Sequence, residues 1–382
     1  MAAFVASSPP LFSGHRGSGA DGSYNTSSLR RQRMLENSHG AFSLAARSLP
    51  FVELDVQLSR DGVPVVYHDW LVRLDARGAR GDDVALRVPV GHLTAAQLSA
   101  LSVLPSRCAR GLSRGAADVV SEKLWAERAD AAERDGGGRG CGSGAAAWTA
   151  ALARAIASCS HATSRDALVA TARRRCAALG IDSSSRALAR AAENLDGHGI
   201  RGDELSGVPS LADVLARLDV KCGVNIELKY PEPYEIAAFG LRVASPDEFV
   251  ATIARVVAAA RARPILYSSF NPSVAAASRA AAAAAHDCYF LTSACGEEPD
   301  PRMQSLDAAF AFAAAKKLSG VVTHVAPVLL DPSGAVGAAH QCGLRIATYG
   351  QDNNNAEAVQ VQVNAGVDMI ILDDARVAES FY

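Results

Sequence analysis

The chain has 382 residues, 49% of them hydrophobic and 20% charged, and its 38 basic and 40 acidic side chains leave a net charge of −2. That length and apolar content fit one large α/β barrel or two ordinary domains and exclude a wholly disordered chain. The charge balance offers no basic excess for nucleic acid, and no apolar run reaches the ~20 residues of a membrane-spanning helix.

The first residues, MAAFVASSPPLFSGHRG, lack a basic n-region and a long apolar core, so no signal peptide is expected. Eight cysteines are scattered without a CxxC pair, which argues against a zinc ribbon or a disulfide scaffold. Reduced thiols in a cytoplasmic protein are the expectation.

In chain order, the first strand-like run is LFSG at 11–14, followed by FVELDV at 51–56. VPVVY at 63–67 follows after the turn SRDG at 59–62, and Asp-Gly marks it as the return arm of a hairpin. Residues 104–206 then change texture and become rich in Ala, Arg, Gly and Ser. Within them, 134–147 read as a flexible linker, 145–179 as Ala-rich helices, and Trp125 and Trp148 as anchors of a small subdomain. A partly disordered or helical insertion and a cap over the active site both remain open for this segment. Regular alternation resumes with apolar runs at 223–228, 264–268, 287–291, 319–323, 344–348 and 367–372, separated by stretches long enough for helices. Six runs plus the first two make eight, the count of a TIM (β/α)8 barrel. The predicted organisation is a catalytic barrel begun by residues 8–103, interrupted between barrel strands 2 and 3 by the insertion 104–206, and completed by 207–382.

Such barrels carry their chemistry at the C-terminal ends of the strands. There the sequence places His15 and Arg16 after the first strand, Glu53 and Asp55 on the second, His68 after the hairpin, and Glu227 and Lys229 on the third. Glu53 and Asp55 are two apart and share a strand face, while Val52, Leu54 and Val56 point to the helices. Two carboxylates aimed into one mouth repel unless a cation separates them, and Glu227 supplies a third. Three hard oxygen ligands suit Mg2+ or Ca2+ better than Zn2+. A solvated strand face is the plainer reading of Glu53 and Asp55, and their apolar neighbours argue against it. His15 and His68 are the candidate general acid and base, since imidazole changes protonation near neutral pH. Arg16 and Lys229 add fixed positive charge suited to phosphate oxygens. Together these groups describe a phosphodiester site. His39, His92, His161, His198, His286 and His340 read as structural or solvated, with His324 less so because it ends a strand.

The ordered blocks GHRGSG at 14–19, LENS at 35–38, VELDVQLSRDGVPVVYHD at 52–69 and NIELKYP at 225–231 resemble the glycerophosphodiester phosphodiesterases. YSSFNP at 267–272, YFLTSACGEE at 289–298, ATYGQDNNN at 347–355 and GVDMIILDD at 366–374 are similar to the eukaryotic cytosolic members that act on glycerophosphocholine. The resemblance covers about residues 10–75 and 207–375. It implies metal-dependent hydrolysis of a small glycerophosphodiester to sn-glycerol 3-phosphate and an alcohol such as choline. It implies His15 and His68 as the acid/base pair, Glu53, Asp55 and Glu227 as metal ligands, and Arg16 and Lys229 as phosphate ligands. Glu36 and Asn37 match a block that supports the metal end of the site, with Ser38 standing where the family has Thr. Tyr349 stands where many members carry an aromatic residue that packs against the glycerol or the head group. Members of this subgroup usually carry an N-terminal regulatory or carbohydrate-binding domain, absent ahead of Gly14 here, and the alternatives are a protein that begins at its first strand or a chain that has lost an upstream domain. The insertion must also leave His68 and Glu227 in register for the site to form. Two other readings stand beside this one: a phospholipase D-like barrel acting on lyso- or sphingophospholipids, and a non-catalytic barrel that binds phosphodiesters.

Overall fold

The computed structural model describes residues 10–18, 36–77, 83–99, 207–282, 285–296 and 298–381. Strand β1 (Leu11–Gly14) leads to helix α1 (His39–Ala45) and strand β2 (Phe51–Leu58). Strand β3 (Pro64–Val66) folds back antiparallel on β2, and β4 (Leu71–Arg77) and β5 (Asp83–Pro89) form a separate two-stranded pair before the short helix α2 (Ala95–Ser99). The chain then runs α3 (Leu211–Arg217), β6 (Gly223–Leu228), α4 (Pro233–Phe239), α5 (Pro246–Ala259), β7 (Ile265–Ser269), α6 (Pro272–Ala281), β8 (Asp287–Thr292) and α7 (Leu306–Ala315). It ends with β9 (Gly320–His324), α8 (Val325–Leu330), α9 (Pro332–Gln341), β10 (Arg345–Tyr349), α10 (Ala356–Ala365), β11 (Met369–Leu372) and α11 (Ala375–Ala378).

Eight of these strands are parallel neighbours in the order β1, β11, β10, β9, β8, β7, β6, β2, and β1 also pairs with β2, closing the ring. The expected (β/α)8 barrel is therefore formed, with β3 extending its second strand as a hairpin. Alternation on the strands builds two apolar layers. Phe12, Val52, Leu54, Val224 and Ile226 face the helices, and Leu291, Val322, Ala347 and Ile371 fill the inside of the barrel. Helix α5 shows how the outer ring is specified: Ser245 caps its N-terminus, Pro246 occupies the first turn, and Phe249, Val250, Ile253 and Val257 form its buried stripe.

The β4–β5 pair is an element that the sequence reading did not anticipate. Its register sets Val72 opposite Val88 and Leu74 opposite Leu86, and the apolar/polar alternation of both arms was present in the sequence. The insertion 104–206, with its expected linker, helices and tryptophans, lies outside the described residues. Its flanks are nonetheless joined. The Val208 N–H donates to Leu98 O at 3.1 Å, the Val66 N–H donates to Pro209 O at 2.9 Å, and Ser210 bridges to Val65. The chain thus leaves and re-enters the barrel at one place. No helix among the described residues is long and apolar enough to cross a membrane.

Candidate active site

The first strand ends in a tight turn that presents two side chains to the barrel mouth. Arg16 and Gly17 both have positive φ (49° and 82°), and a Cβ on Gly17 would meet the Ala41 backbone at 2.6 Å. This turn aims the Arg16 backbone N–H at Glu53 Oε2, 2.8 Å away. The Arg16 guanidinium donates to Glu36 Oε2 at 2.9 Å and lies 3.4 Å from Asp55 Oδ2. Asn37, at φ 55°, brackets the same carboxylate: its Nδ2 donates to Asp55 Oδ2 at 2.8 Å and its Oδ1 accepts the Asp55 N–H at 3.2 Å. Glu36 and Asn37 are thus joined to the residues they were expected to support.

On the neighbouring strand pair, Asp55 of β2 is in register with Glu227 of β6, and Glu53 with Asn225. Glu53, Asp55 and Glu227 bring one oxygen each to within 4.8 Å of one another, all three buried. Glu53 Oε1 and Asp55 Oδ1 are buried and accept no hydrogen bond among the described residues. Burial and the neighbouring Asp55 push the Glu53 carboxyl up, and burial likewise raises Glu227. Burial alone would raise Asp55 as well, but His68, Arg16 and Lys229 outweigh it and hold Asp55 down. Among the described residues Arg16 and Lys229 pair with Glu36, Asp55 and Glu227, and His15 lies by Glu53 and Asp373, so five acidic groups meet three basic ones. A divalent cation fits both the orphaned oxygens and this charge deficit, and an all-carboxylate donor set suits a hard ion.

Both cations are engaged with these carboxylates. Lys229 Nζ is 3.0 Å from Glu227 Oε1 and 4.0 Å from Asp55 Oδ1. Lys229 follows the last residue of β6, one position beyond the strand on which it was expected.

The two histidines are held from behind. His15 Nδ1 donates to Asp373 Oδ1 at 2.7 Å, and its Nε2 lies 4.0 Å from Glu53 Oε2. Burial and Arg16 act to lower the His15 pKa, yet Asp373 and Glu53 prevail and raise it to about 9. Asp373 is itself fixed by Asn354, whose Nδ2 donates to Asp373 Oδ2 at 2.7 Å and whose Oδ1 accepts the Asp373 N–H at 2.8 Å. His68 Nδ1 lies 2.8 Å from Asp69 Oδ1. Burial, Arg16 and Lys229 drive the His68 pKa well below the ordinary imidazole value. The turn that carries His68 is gathered by buried Gln57, whose Nε2 donates to the carbonyls of Tyr67, His68 and Asp69 at 2.8, 3.3 and 2.7 Å.

A cavity of about 890 Å³ opens over this floor, lined by His15, Arg16, Glu53, His68, Glu227 and Lys229, and by Tyr349 on the far side. Asp55 lies beneath it at 1% exposure. Tyr349 packs edge-on against Phe270 at 6.0 Å and His324 at 5.4 Å. The fold therefore gathers every candidate residue at one mouth. Asp373, Asn354 and Gln57 were not singled out from the sequence. Asp373 follows the last barrel strand, so the strand-end rule that found His15 and Glu227 reaches it too. Of the other described histidines, His340 Nε2 lies 3.0 Å from Asp368, and His324 both caps α8, its Nδ1 accepting the Ala326 N–H, and lines the cavity beside Tyr349.

The chain matches the model of the glycerophosphoryl diester phosphodiesterase family over residues 15–377. It is 27% identical over 368 residues to the glycerophosphocholine phosphodiesterase GDE1 of Eremothecium gossypii, covering 94% of this chain and 25% of that protein. It is 27% identical over 368 residues to a chloroplastic glycerophosphodiester phosphodiesterase of Arabidopsis thaliana, covering 94% of this chain and 77% of that one. The chain spans about a quarter of the length of the fungal relatives it matches. Crystal structures of family proteins from Silicibacter pomeroyi (TM-score 0.54, 19% identity, 98% of this chain and 94% of that one) and Galdieria sulphuraria (TM-score 0.52, 14% identity, 98% of each) share the fold.

Proposed function

The chain belongs to the glycerophosphoryl diester phosphodiesterase family, and we propose that it hydrolyses glycerophosphodiesters, glycerophosphocholine foremost, to sn-glycerol 3-phosphate and an alcohol. The observation that carries this reading is the meeting of two carboxylate-backed histidines with three buried carboxylates and two cations in one cavity.

Within it, His15 is the proton donor. The Asp373 carboxylate behind Nδ1 and Glu53 beside Nε2 favour the imidazolium, which protonates the leaving alkoxide. His68 is the base. Burial and the two neighbouring cations favour its neutral ring, which accepts the proton of the attacking water or of the adjacent glycerol hydroxyl. Arg16 and Lys229 hold the phosphoryl oxygens with the donors that their carboxylate partners leave over. Glu53, Asp55 and Glu227 hold the divalent cation, Mg2+ or Ca2+. When bound, that ion neutralises charge developing on the phosphoryl group. Tyr349 packs against the organic part of the substrate. Four described cysteines are free thiols, which supports the cytoplasm as the working compartment.

The test is release of glycerol 3-phosphate from glycerophosphocholine by protein stripped with EDTA and resupplied with Mg2+ or Ca2+. Turnover is expected only with metal and is expected to fall by at least a hundredfold in His15→Ala, as loss of a general acid requires, on the order of 10²-fold. Absence of turnover from folded, metal-loaded protein, or turnover indifferent to His15→Ala, would overturn the assignment. Lysophospholipid and sphingophospholipid substrates in the same assay decide the lipid alternative.

A further inference from the structure

The cavity is chemically two-sided. Its floor holds Arg16 and Lys229 among the metal-site carboxylates. Its outer wall carries Glu232, Glu235 and Glu298 beside the rings of Trp70 and Tyr234. Neutral groups meet these three carboxylates. Asn271 Nδ2 donates to Glu232 at 2.9 Å, Trp70 Nε1 and the Glu232 N–H donate to Glu235 at 2.9 Å each, and Ser293 Oγ donates to Glu298 at 2.5 Å. Asp300, which also lines the cavity, is bound by Arg302 at 2.8 Å, and Arg302 acts on Glu232 through space without pairing with it. Among the described residues no ion pair is formed by Glu232, Glu235 or Glu298.

The ring of Trp70 is fixed by its bond to Glu235 and already receives one ammonium, Lys229 Nζ, 5.6 Å from the ring centroid. Tyr234 is 56% exposed, a large aromatic surface at the rim of a polar mouth. What this wall offers a ligand is thus negative charge and aromatic faces. One oxygen each of Glu232 and Glu298 and both oxygens of Glu235 accept these hydrogen bonds, and each carboxylate keeps acceptor capacity beyond them.

We propose that this wall is the head-group subsite and that it selects phosphodiesters whose alcohol carries a quaternary ammonium. Trp70 and Tyr234 contact the methylated cation, and Glu232, Glu235 and Glu298 supply the opposing charge. A quaternary ammonium has no N–H to donate, so it gains from charge and ring faces without needing free acceptors. A primary ammonium could use the same carboxylates, so what favours the methylated cation is the ring faces of Trp70 and Tyr234. The proposal rests on the phosphodiesterase reading of the cavity floor.

The experiment compares kcat/KM for glycerophosphocholine, glycerophosphoethanolamine and glycerophosphoglycerol in the metal-loaded wild type and in Glu232→Gln/Glu298→Gln, which keeps the hydrogen-bond acceptors. The choline-to-glycerol ratio is expected to fall about tenfold, a cation–π-sized effect, while tetramethylammonium loses its competitive inhibition. Trp70→Leu, with the carboxylates intact, is expected to move the ratio in the same direction. A ratio unchanged in both variants would overturn the subsite. If the wild type turns over none of the three esters, the floor reading has failed. Calorimetric titration with tetramethylammonium then decides the subsite alone: binding lost in the double variant upholds it, and no binding to the wild type refutes it.

Discussion

Asp373 reaches His15 across 358 residues of sequence and sets the state of its ring. Replacing it by Asn keeps the size and removes the charge. Asp373→Asn is therefore expected to lower kcat on the order of 10²-fold, the scale of a mispositioned general acid. The pH profile gives a sharper readout. The protonated form of His15 is fully present below its pKa and is lost as pH rises through about 9. Without the Asp373 carboxylate that pKa falls, so the alkaline limb of the rate profile moves to lower pH. An unshifted limb with a lowered rate would leave Asp373 a merely structural residue. The reach of the sequence at this scale follows from distance along the chain. Glu53 and Asp55 were legible because their spacing fixes a common face, and His15 and His68 because both end a strand-like run. The bonds of Arg16 to Glu36 and Asp55 were not legible, since an arginine near a strand end reads the same whether it waits for phosphate or neutralises carboxylates.

At the level of elements, the barrel strands were readable because a parallel strand buried on both faces is a short apolar run between breakers, and 223–228 was matched residue for residue by Gly223–Leu228. The β4–β5 pair was missed because its alternating pattern fell between the hairpin and the insertion, where no barrel strand was being sought. The strands also carry packing information that periodicity does not express. A Cβ on Gly320 would collide with the Arg345 carbonyl oxygen and the Tyr289 ring at the β8–β9–β10 seam. Gly320→Ala is expected to destabilise the barrel by about 1–3 kcal/mol, the cost of forced overpacking. Urea unfolding checks this as a lowered midpoint at unchanged m. A midpoint equal to the parent's would mean that the seam relaxes freely.

For the whole molecule, the bond between Val208 and Leu98 sets the described residues on either side of 100–206 next to each other. Replacing residues 100–206 with a short Gly/Ser linker is expected to leave a folded barrel, stabilised by roughly 2 kcal/mol if shortening the loop only reduces its closure entropy. Thermal unfolding and glycerol 3-phosphate release read the result. An insoluble or molten product would show that the segment is needed for the fold, and a stable product without turnover would give it a part in catalysis. The other long-range joint has a consequence in time. His15 stands just after the first strand of the ring, and the carboxylate that orients it stands just after the last, on strands that meet when the ring closes. During synthesis, the residue that moves the proton emerges 358 residues ahead of the residue that sets it. Nascent chains stalled between Glu227 and Asp373 would carry both histidines and all three metal-site carboxylates and still lack the complete acid. Onset of turnover along such a series of stalled chains would therefore report ring closure itself, an enzymatic clock for the final step of folding.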